Sequence, residues 1–289
     1  MTIHIVDRKT EKIEEEIVYG ESLLQLAYRQ TIFSKCLRTL ISKLPLASAV
    51  FGIWQKSPFS KKQITPFVKK FHVNMSEAET ENFATFNDFF IRKLKKEARP
   101  ISDTPVIAPA DGRYLAFDNI DLHQEIFVKG KKLSISKLLH CDASRYKGGS
   151  LLIARLAPPD YHRFHFPLDC ISEAPKLIGG YLYSVNPIAL KTNISYLTEN
   201  KRVQVLLQTE KLGQVAFIAI GATNVGSINF TYQAGKQYKK GDEMGYFSFG
   251  ASMVITLIEP GRVKLSKDLI KNTSLGLETL CKIGQPVIE

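Results

Sequence analysis

A chain of 289 residues, 44% hydrophobic and 23% charged, carries enough apolar side chains for a sizeable core and is neither disordered nor collagen-like in composition. Cys36, Cys141, Cys170 and Cys281 stand far apart with no CxxC pair, which argues against a zinc ribbon or a disulfide scaffold and reads as reduced structural thiols. The net charge of +11 admits nucleic acid, an anionic membrane surface or plain solubility, and its distribution along the chain separates these better than its total.

The first stretch, MTIHIVDRKTEKIEEEIVYG, is charged from the start and has no apolar run ahead of a small-residue cleavage site, so no secretory signal is expected there. Leu44 to Gln55, the longest uncharged stretch nearby, is broken by Pro45 and falls well short of the ~20 apolar residues that span a bilayer. Between Ser22 and Ser76 stand nine Lys or Arg residues and no Asp or Glu. Within that basic segment Phe33, Leu37, Leu40, Ile41 and Leu44 recur at helical spacing, with Lys35, Arg38, Thr39 and Ser42 opposite, which predicts an amphipathic helix from about Ser22 to Leu44. Phe51, Ile53, Trp54 and Phe59 follow among basic residues, a combination suited to a lipid interface. A core-facing helix with solvated lysines explains the same spacing.

Ser76 and three glutamates predict the opening of another helix, closed by Pro100, and the mixed composition here places a boundary near residue 75. From Val106 onward short apolar runs alternate with Gly, Pro and Asp: VIAPADGRYLAF, SLLIARLAPPDYHRFHFP, KLIGGYLYSV, VQVLLQT, QVAFIAIGATNVGSINFTY and MVITLIEPGRVKL. Such runs read as strands. The expected fold class is α+β: residues 1–75 a helical, basic, membrane-associating region, and 76–289 a β-rich catalytic body.

Three segments put reactive groups in turn-like positions beside strands: APADG with Asp111, PPDYHRFHFP with His162 and His165, and FGASMV with Ser252. A distant Asp, His and Ser can converge so that the carboxylate orients the imidazole and the imidazole deprotonates the hydroxyl. Each has a plainer explanation. Asp111-Gly112 is a standard turn pair, a serine at a strand start is usually structural, and histidines three apart without a Glu or Cys at zinc spacing make no metal site. PPDYHRFHFP is the most telling block, because its prolines restrain a segment dense in titratable groups. GASM resembles the G-T-S-M of subtilisin-like proteases over four residues only; MVITLI after Ser252 is a strand pattern, and no G-x-S-x-G elbow is present.

Taken in order, FATFNDFFIRKLKKEARPI, PADG, RLAPPDYHRFHFP, GGYLYSVNPIAL, ENKRV, GATNVGSI, KGDEMGYFSFGASMVI and PG cover residues 83 to 262. Together they resemble the pyruvoyl-dependent phosphatidylserine decarboxylases of bacteria and mitochondria, in the manner of chlamydia-like bacterial members. The resemblance implies a proenzyme cut between Ala251 and Ser252 by attack of the Ser252 hydroxyl on the preceding carbonyl, leaving a 1–251 β chain and a 252–289 α chain. Ser252 would become a pyruvoyl cofactor, and its ketone would form a Schiff base with the serine amine of phosphatidylserine, releasing CO2 and phosphatidylethanolamine. By the same resemblance Asp111 and His165 are the orienting acid and the base of self-cleavage, and His162 serves substrate positioning and decarboxylation. It further implies a peripheral enzyme on an anionic membrane, at the cytoplasmic face of the inner membrane in a bacterium, with a homodimer compatible and no nucleic-acid partner.

Two positions depart from the family signature L-G-S-T or F-G-G-S-T: the chain reads Phe249-Gly250-Ala251-Ser252-Met253. If residue 251 takes a positive φ, its methyl costs about 1 kcal/mol or more. Met253 replaces a threonine hydroxyl. A serine hydrolase built on Asp111, His165 and Ser252, and an unprocessed lipid-binding relative, are the alternative readings.

Overall fold

The structure, a computed structural model, describes residues 3–29, 31–35, 38, 52–126, 131–222, 228–250 and 252–289. Its first strands are β1 (His4–Asp7), β2 (Ile13–Glu15), β3 (Gly112–Phe117), β4 (His123–Glu125), β5 (Lys132–Ser134), β6 (Ser150–Leu156), β7 (Arg163–His165) and β8 (Cys170–Ser172). β9 (Lys176–Ile178), β10 (Arg202–Gln208), β11 (Gln214–Gly221), β12 (Ile228–Phe230), β13 (Gln237–Tyr238), β14 (Glu243–Phe247), β15 (Ser252–Ile258) and β16 (Glu278–Cys281) complete them. The helices that matter below are α1 (Glu21–Tyr28), α2 (Ile64–Phe71) and α3 (Phe86–Phe90).

Among the described residues eleven strands form one sheet, in the order β13-β8-β10-β11-β15-β6-β3-β16-β1-β2, with β9 also on β10. β1 runs parallel to β16, whereas β15 is antiparallel to both of its neighbours, β11 and β6. β12, β14 and β7 form a smaller sheet.

The apolar runs become central strands because both faces of the sheet are covered, so alternate side chains fill two different cores. On β15, Met253, Ile255 and Leu257 pack with Leu151, Ile153 and Ile218. Val254 and Ile258 pack on the other side with Leu152, Leu156 and Phe217. A third, aromatic core of Phe67, Phe83, Phe86, Phe89 and Phe90 reaches Phe249, just ahead of β15.

Three local expectations change. The amino-terminal stretch opens with strands rather than helix: Ile5 and Val6 are buried in β1, whose partner β16 lies at the far end of the chain, where no local pattern reveals it. The helix expected from Ser22 to Leu44 is broken at Arg29, which is extended, and helix resumes over residues 32–35. Tyr28 is anchored just before the break, its hydroxyl accepting from Ser184 N–H at 2.8 Å, so a tertiary contact sets the chain direction. Phe33, assigned to the inward face, is 66% exposed; Leu37, Leu40, Ile41, Leu44 and Phe51 lie outside the described residues. The helix expected at Ser76 is only a turn, Met75–Glu77, and the helix forms at α3 instead. There Thr85 and Asp88 make a reciprocal capping box while Phe86, Phe89 and Phe90 enter the aromatic core. Among the described residues no helix is long and apolar enough to cross a membrane.

Candidate active site

Ser252 opens β15, fully buried, in register with Gly221 of β11 and Leu156 of β6. Gly250 before it has φ 143°, a conformation that favours glycine, while Ala251 lies outside the described residues. Met253 is buried in the core of the opposite face, so its side chain packs and does not share the surroundings of Ser252.

The loop between β6 and β7 brings His162 to this serine, with Nδ1 3.3 Å from Ser252 Oγ. Nε2 lies 3.0 Å from the Ala157 carbonyl oxygen. A carbonyl only accepts, so a neutral ring carries its hydrogen on Nε2 and presents the Nδ1 lone pair to the Ser252 hydroxyl. Phe90 of α3 lies flat on the imidazole, 3.8 Å between centroids at 21°. Burial, reinforced by the charge of Arg92, holds the His162 pKa down to about 3, so the ring is neutral at ordinary pH. The pair is a hydroxyl facing an unprotonated nitrogen in a dry pocket, the arrangement of a nucleophile and its base.

His165 stands at the end of β7 and is held elsewhere. Its Nδ1 donates to the Gly241 carbonyl oxygen at 2.8 Å, and Nε2 is 3.5 Å from the Tyr161 hydroxyl. Burial lowers its pKa, with the Gly241 carbonyl and the charges of Glu243 and Asp111 working against that shift. Asp111 is gripped by Arg99, whose Nε lies 2.9 and 3.0 Å from the two carboxylate oxygens and whose Nη2 is 2.6 Å away. It also accepts from Ile283 N–H at 2.9 Å. Gly112 beside it is no free turn residue: a Cβ there would sit 2.7 Å from the Arg155 carbonyl oxygen. Among the described residues Ser252 and His162 are brought together, while no hydrogen bond joins Asp111 to His165 or His165 to Ser252.

Several contributors escape the sequence. Phe90 is one phenylalanine among several in FNDFF, and the Ala157 carbonyl has no side-chain signature at all. Arg92 donates from Nη2 to the Pro159 and Asp160 carbonyl oxygens at 3.0 and 3.3 Å, fixing the loop from behind. Beside the centre lies a mostly apolar cavity lined by Tyr19, Leu23, Leu24, Tyr28, Phe249 and Gly250, with Glu16, Arg38 and Arg155 also at its lining.

The sequence model described as "Phosphatidylserine decarboxylase" matches residues 86–289, which take in Asp111, His162, His165 and Ser252. The proenzyme of that name from Chlamydia felis is 44% identical over 290 residues, covering 98% of this chain and 96% of the relative. The chain belongs to the phosphatidylserine decarboxylase family. Its Chlamydia pneumoniae and Chlamydia trachomatis serovar D relatives, also named phosphatidylserine decarboxylase proenzyme, are 41% and 40% identical over 286 residues, each covering 97% of this chain and 95% of its own. The similarity of these family members therefore extends through β2 and α1, which lie outside the span of the family model. The family resemblance read from the motifs thus holds over nearly the whole chain.

Proposed function

We propose that the chain is a proenzyme that cuts itself before Ser252 and then decarboxylates phosphatidylserine to phosphatidylethanolamine and CO2. The observation that carries this reading is the buried Ser252 hydroxyl, 3.3 Å from an unprotonated imidazole nitrogen and two residues beyond the cavity-lining pair Phe249 and Gly250. In self-cleavage Ser252 Oγ gives up its proton and attacks the carbonyl carbon of residue 251. An ester forms, the peptide C–N bond breaks, and the nitrogen takes a proton. Loss of the residue 252 α-proton expels the Ala251 carboxylate, and water converts the dehydroalanine to a ketone and ammonia. The products are residues 1–251 and a 252–289 chain headed by a pyruvoyl group.

The surroundings fit that group. The strand start is dry, His162 is neutral, and the adjoining cavity is mostly apolar with Arg38 at its lining to meet an anionic lipid, whereas Arg155 beside it is already paired with Glu16 and Glu278. A pyruvoyl group at this position supplies a ketone that takes up the electron pair left when CO2 departs. His162 Nδ1 is placed to move a proton at residue 252, and Phe90 keeps water off the ring face. The resemblance gives self-cleavage to His165 with Asp111; the 3.3 Å contact favours a second reading, in which His162 also takes the Ser252 proton.

Residues 1–75 form the membrane-associating part of this reading and 76–289 the catalytic part, on a protein peripheral to the cytoplasmic face of an anionic membrane. Ile32, Phe33, Ile53, Trp54 and Phe59 are exposed in a segment whose charged residues are all basic, which supports lipid docking worth about 1 kcal/mol per well-placed Lys or Arg besides the apolar burial. Intact mass tests the whole scheme. Two polypeptides are expected, the shorter bearing a carbonyl that cyanoborohydride traps with substrate amine. One full-length mass that persists for days, with no CO2 from phosphatidylserine, sinks it. A fluorophosphonate adduct on that intact chain would point to a serine hydrolase instead.

A further inference from the structure

The loop carrying His162 is tied more firmly than its place between two strands demands. Pro158 and Pro159 stand at its turn, and Asp160 closes it twice. The Asp160 N–H donates to the Ala157 carbonyl oxygen at 2.9 Å, and the Asp160 carboxylate accepts from the Ala157 N–H at 2.6 Å. That same carbonyl oxygen accepts the His162 Nε2–H at 3.0 Å, so both of its lone pairs are engaged. Behind the turn Asp160 pairs with Arg113 of β3, and Arg113 Nε lies 2.8 Å from the buried Glu16 carboxylate. The Asp160 and Arg113 side chains are 11% and 8% exposed, so water competes little for these bonds.

The geometry points to Asp160 as a positioning residue: by holding the Ala157 carbonyl against Nε2, it fixes His162 as the tautomer whose bare Nδ1 faces residue 252. This rests on residue 252 being the reacting centre. A neutral imidazole has one hydrogen and two nitrogens to carry it, and the acceptor on one side decides which is bare on the other. With the carboxylate gone the turn loses its bond to the Ala157 N–H and its tie to Arg113, and the Asp160 N–H alone is left to hold the Ala157 carbonyl against Nε2. Once that carbonyl turns away the hydrogen moves to Nδ1, where it donates toward residue 252 and removes the lone pair needed to take a proton. Arg113 and Glu16 extend the same support into β3 and the amino-terminal stretch, so residues remote in sequence set the proton inventory of the site.

Histidine ring nitrogens report the tautomer directly. In the full-length Ser252→Ala chain labelled with 15N-histidine, His162 is expected to show its hydrogen on Nε2, and adding Asp160→Ala is expected to shift it wholly or partly to Nδ1. In the processing-competent chain, Asp160→Ala is expected to slow whichever step uses His162 by roughly tenfold or more, read as the self-cleavage rate or as kcat per processed chain with KM little changed. Asp160→Asn keeps an oxygen for the Ala157 N–H and is expected to restore the tautomer and most of the rate. Should Asp160→Ala not fold, Asp160→Glu keeps the charge beside Arg113 but displaces the carboxylate from Ala157, and a mixed tautomer is expected. An Nε2–H signal unchanged in the Ala or Glu variant overturns the inference, as does an Asn variant no better than Ala. A wild-type chain that neither cuts itself nor releases CO2 defeats the functional reading instead, and the tautomer measurement still decides the role of Asp160.

Discussion

β15 and the basic segment between α1 and α2 treat apolar side chains in opposite ways. Every residue from Ser252 to Ile258 is buried between two cores. In the basic segment Ile32 is 82% exposed, Ile53 70% and Phe59 76%, though fully burying such a side chain is worth about 1.5–3 kcal/mol. The difference teaches where each half of the task is done. Proton chemistry at Ser252 needs a dry, fixed imidazole, which the sheet and aromatic core supply. On the proposed reading, reaching a substrate held in a bilayer falls to the exposed apolar side chains of the basic segment, flanked by positive charge.

The largest effect that sharpens this contrast is Ser252→Ala: intact mass should show a single uncut chain with no CO2 release, while vesicle binding persists. Next come the histidines. His162→Ala is expected to lower turnover by roughly 10²- to 10⁴-fold, and His165→Ala to leave the chain uncut. A His162→Ala chain that stays whole, beside a His165→Ala chain that is cut, transfers the self-cleavage base to His162.

A stability test probes how the amino-terminal stretch is joined to the sheet. Glu16 accepts from Arg155 Nη1 and Nη2 at 3.2 and 2.8 Å and pairs with Arg113, while Arg155 also binds Glu278. Glu16→Gln removes one charge from this buried network and is expected to cost about 3 kcal/mol, read as a lower urea midpoint at unchanged m. Acid should act in the same direction. Burial alone would raise the Glu16 pKa, but Arg155 and Arg113 outweigh it and hold it below the usual carboxylate value of 4.5. Its stabilisation is therefore present above that value and lost as pH falls through the lowered one. His162 and His165 are depressed below 6.5, so the unfolded chain takes up their protons first and stability begins to fall already below that pH. A Glu16→Gln chain with wild-type acid sensitivity below pH 4.5 would remove Glu16 from that account.

The smallest expected effect belongs to the exposed segment. Replacing Ile53 and Phe59 together by Ser should weaken binding to phosphatidylserine vesicles about tenfold, equivalent to about 1.4 kcal/mol, and leave turnover of a short-chain, monomeric substrate unchanged. Unaltered vesicle binding would place the lipid contact elsewhere.

Much of the site was legible because its chemistry is written in residue types. PPDYHRFHFP marked the histidine loop, and the glycine-flanked run after Phe249 marked the buried strand led by Ser252. The apolar runs after Val106 foretold a β-rich body, since strands covered on both faces carry no polar alternation to hide them. The helical readings fared less well. Spacing alone suggested a long helix after Ser22, yet Tyr28 docks under Ser184 and turns the chain at Arg29. α3 starts at the Thr85 and Asp88 capping box, a weaker signal in sequence than the glutamates after Ser76.

By itself, then, the sequence determined the family and which nucleophilic, basic and charged side chains the chain has to offer, because those properties belong to residue types. Only the tertiary structure decided which histidine touches Ser252 and which nitrogen carries its hydrogen. Those depend on the Ala157 carbonyl, the Phe90 ring and the Asp160 cap arriving together from α3, β6 and the turn after it. Hydrogen bonds and stacking act over about 3–4 Å, and no spacing along a chain of 289 residues encodes such a distance.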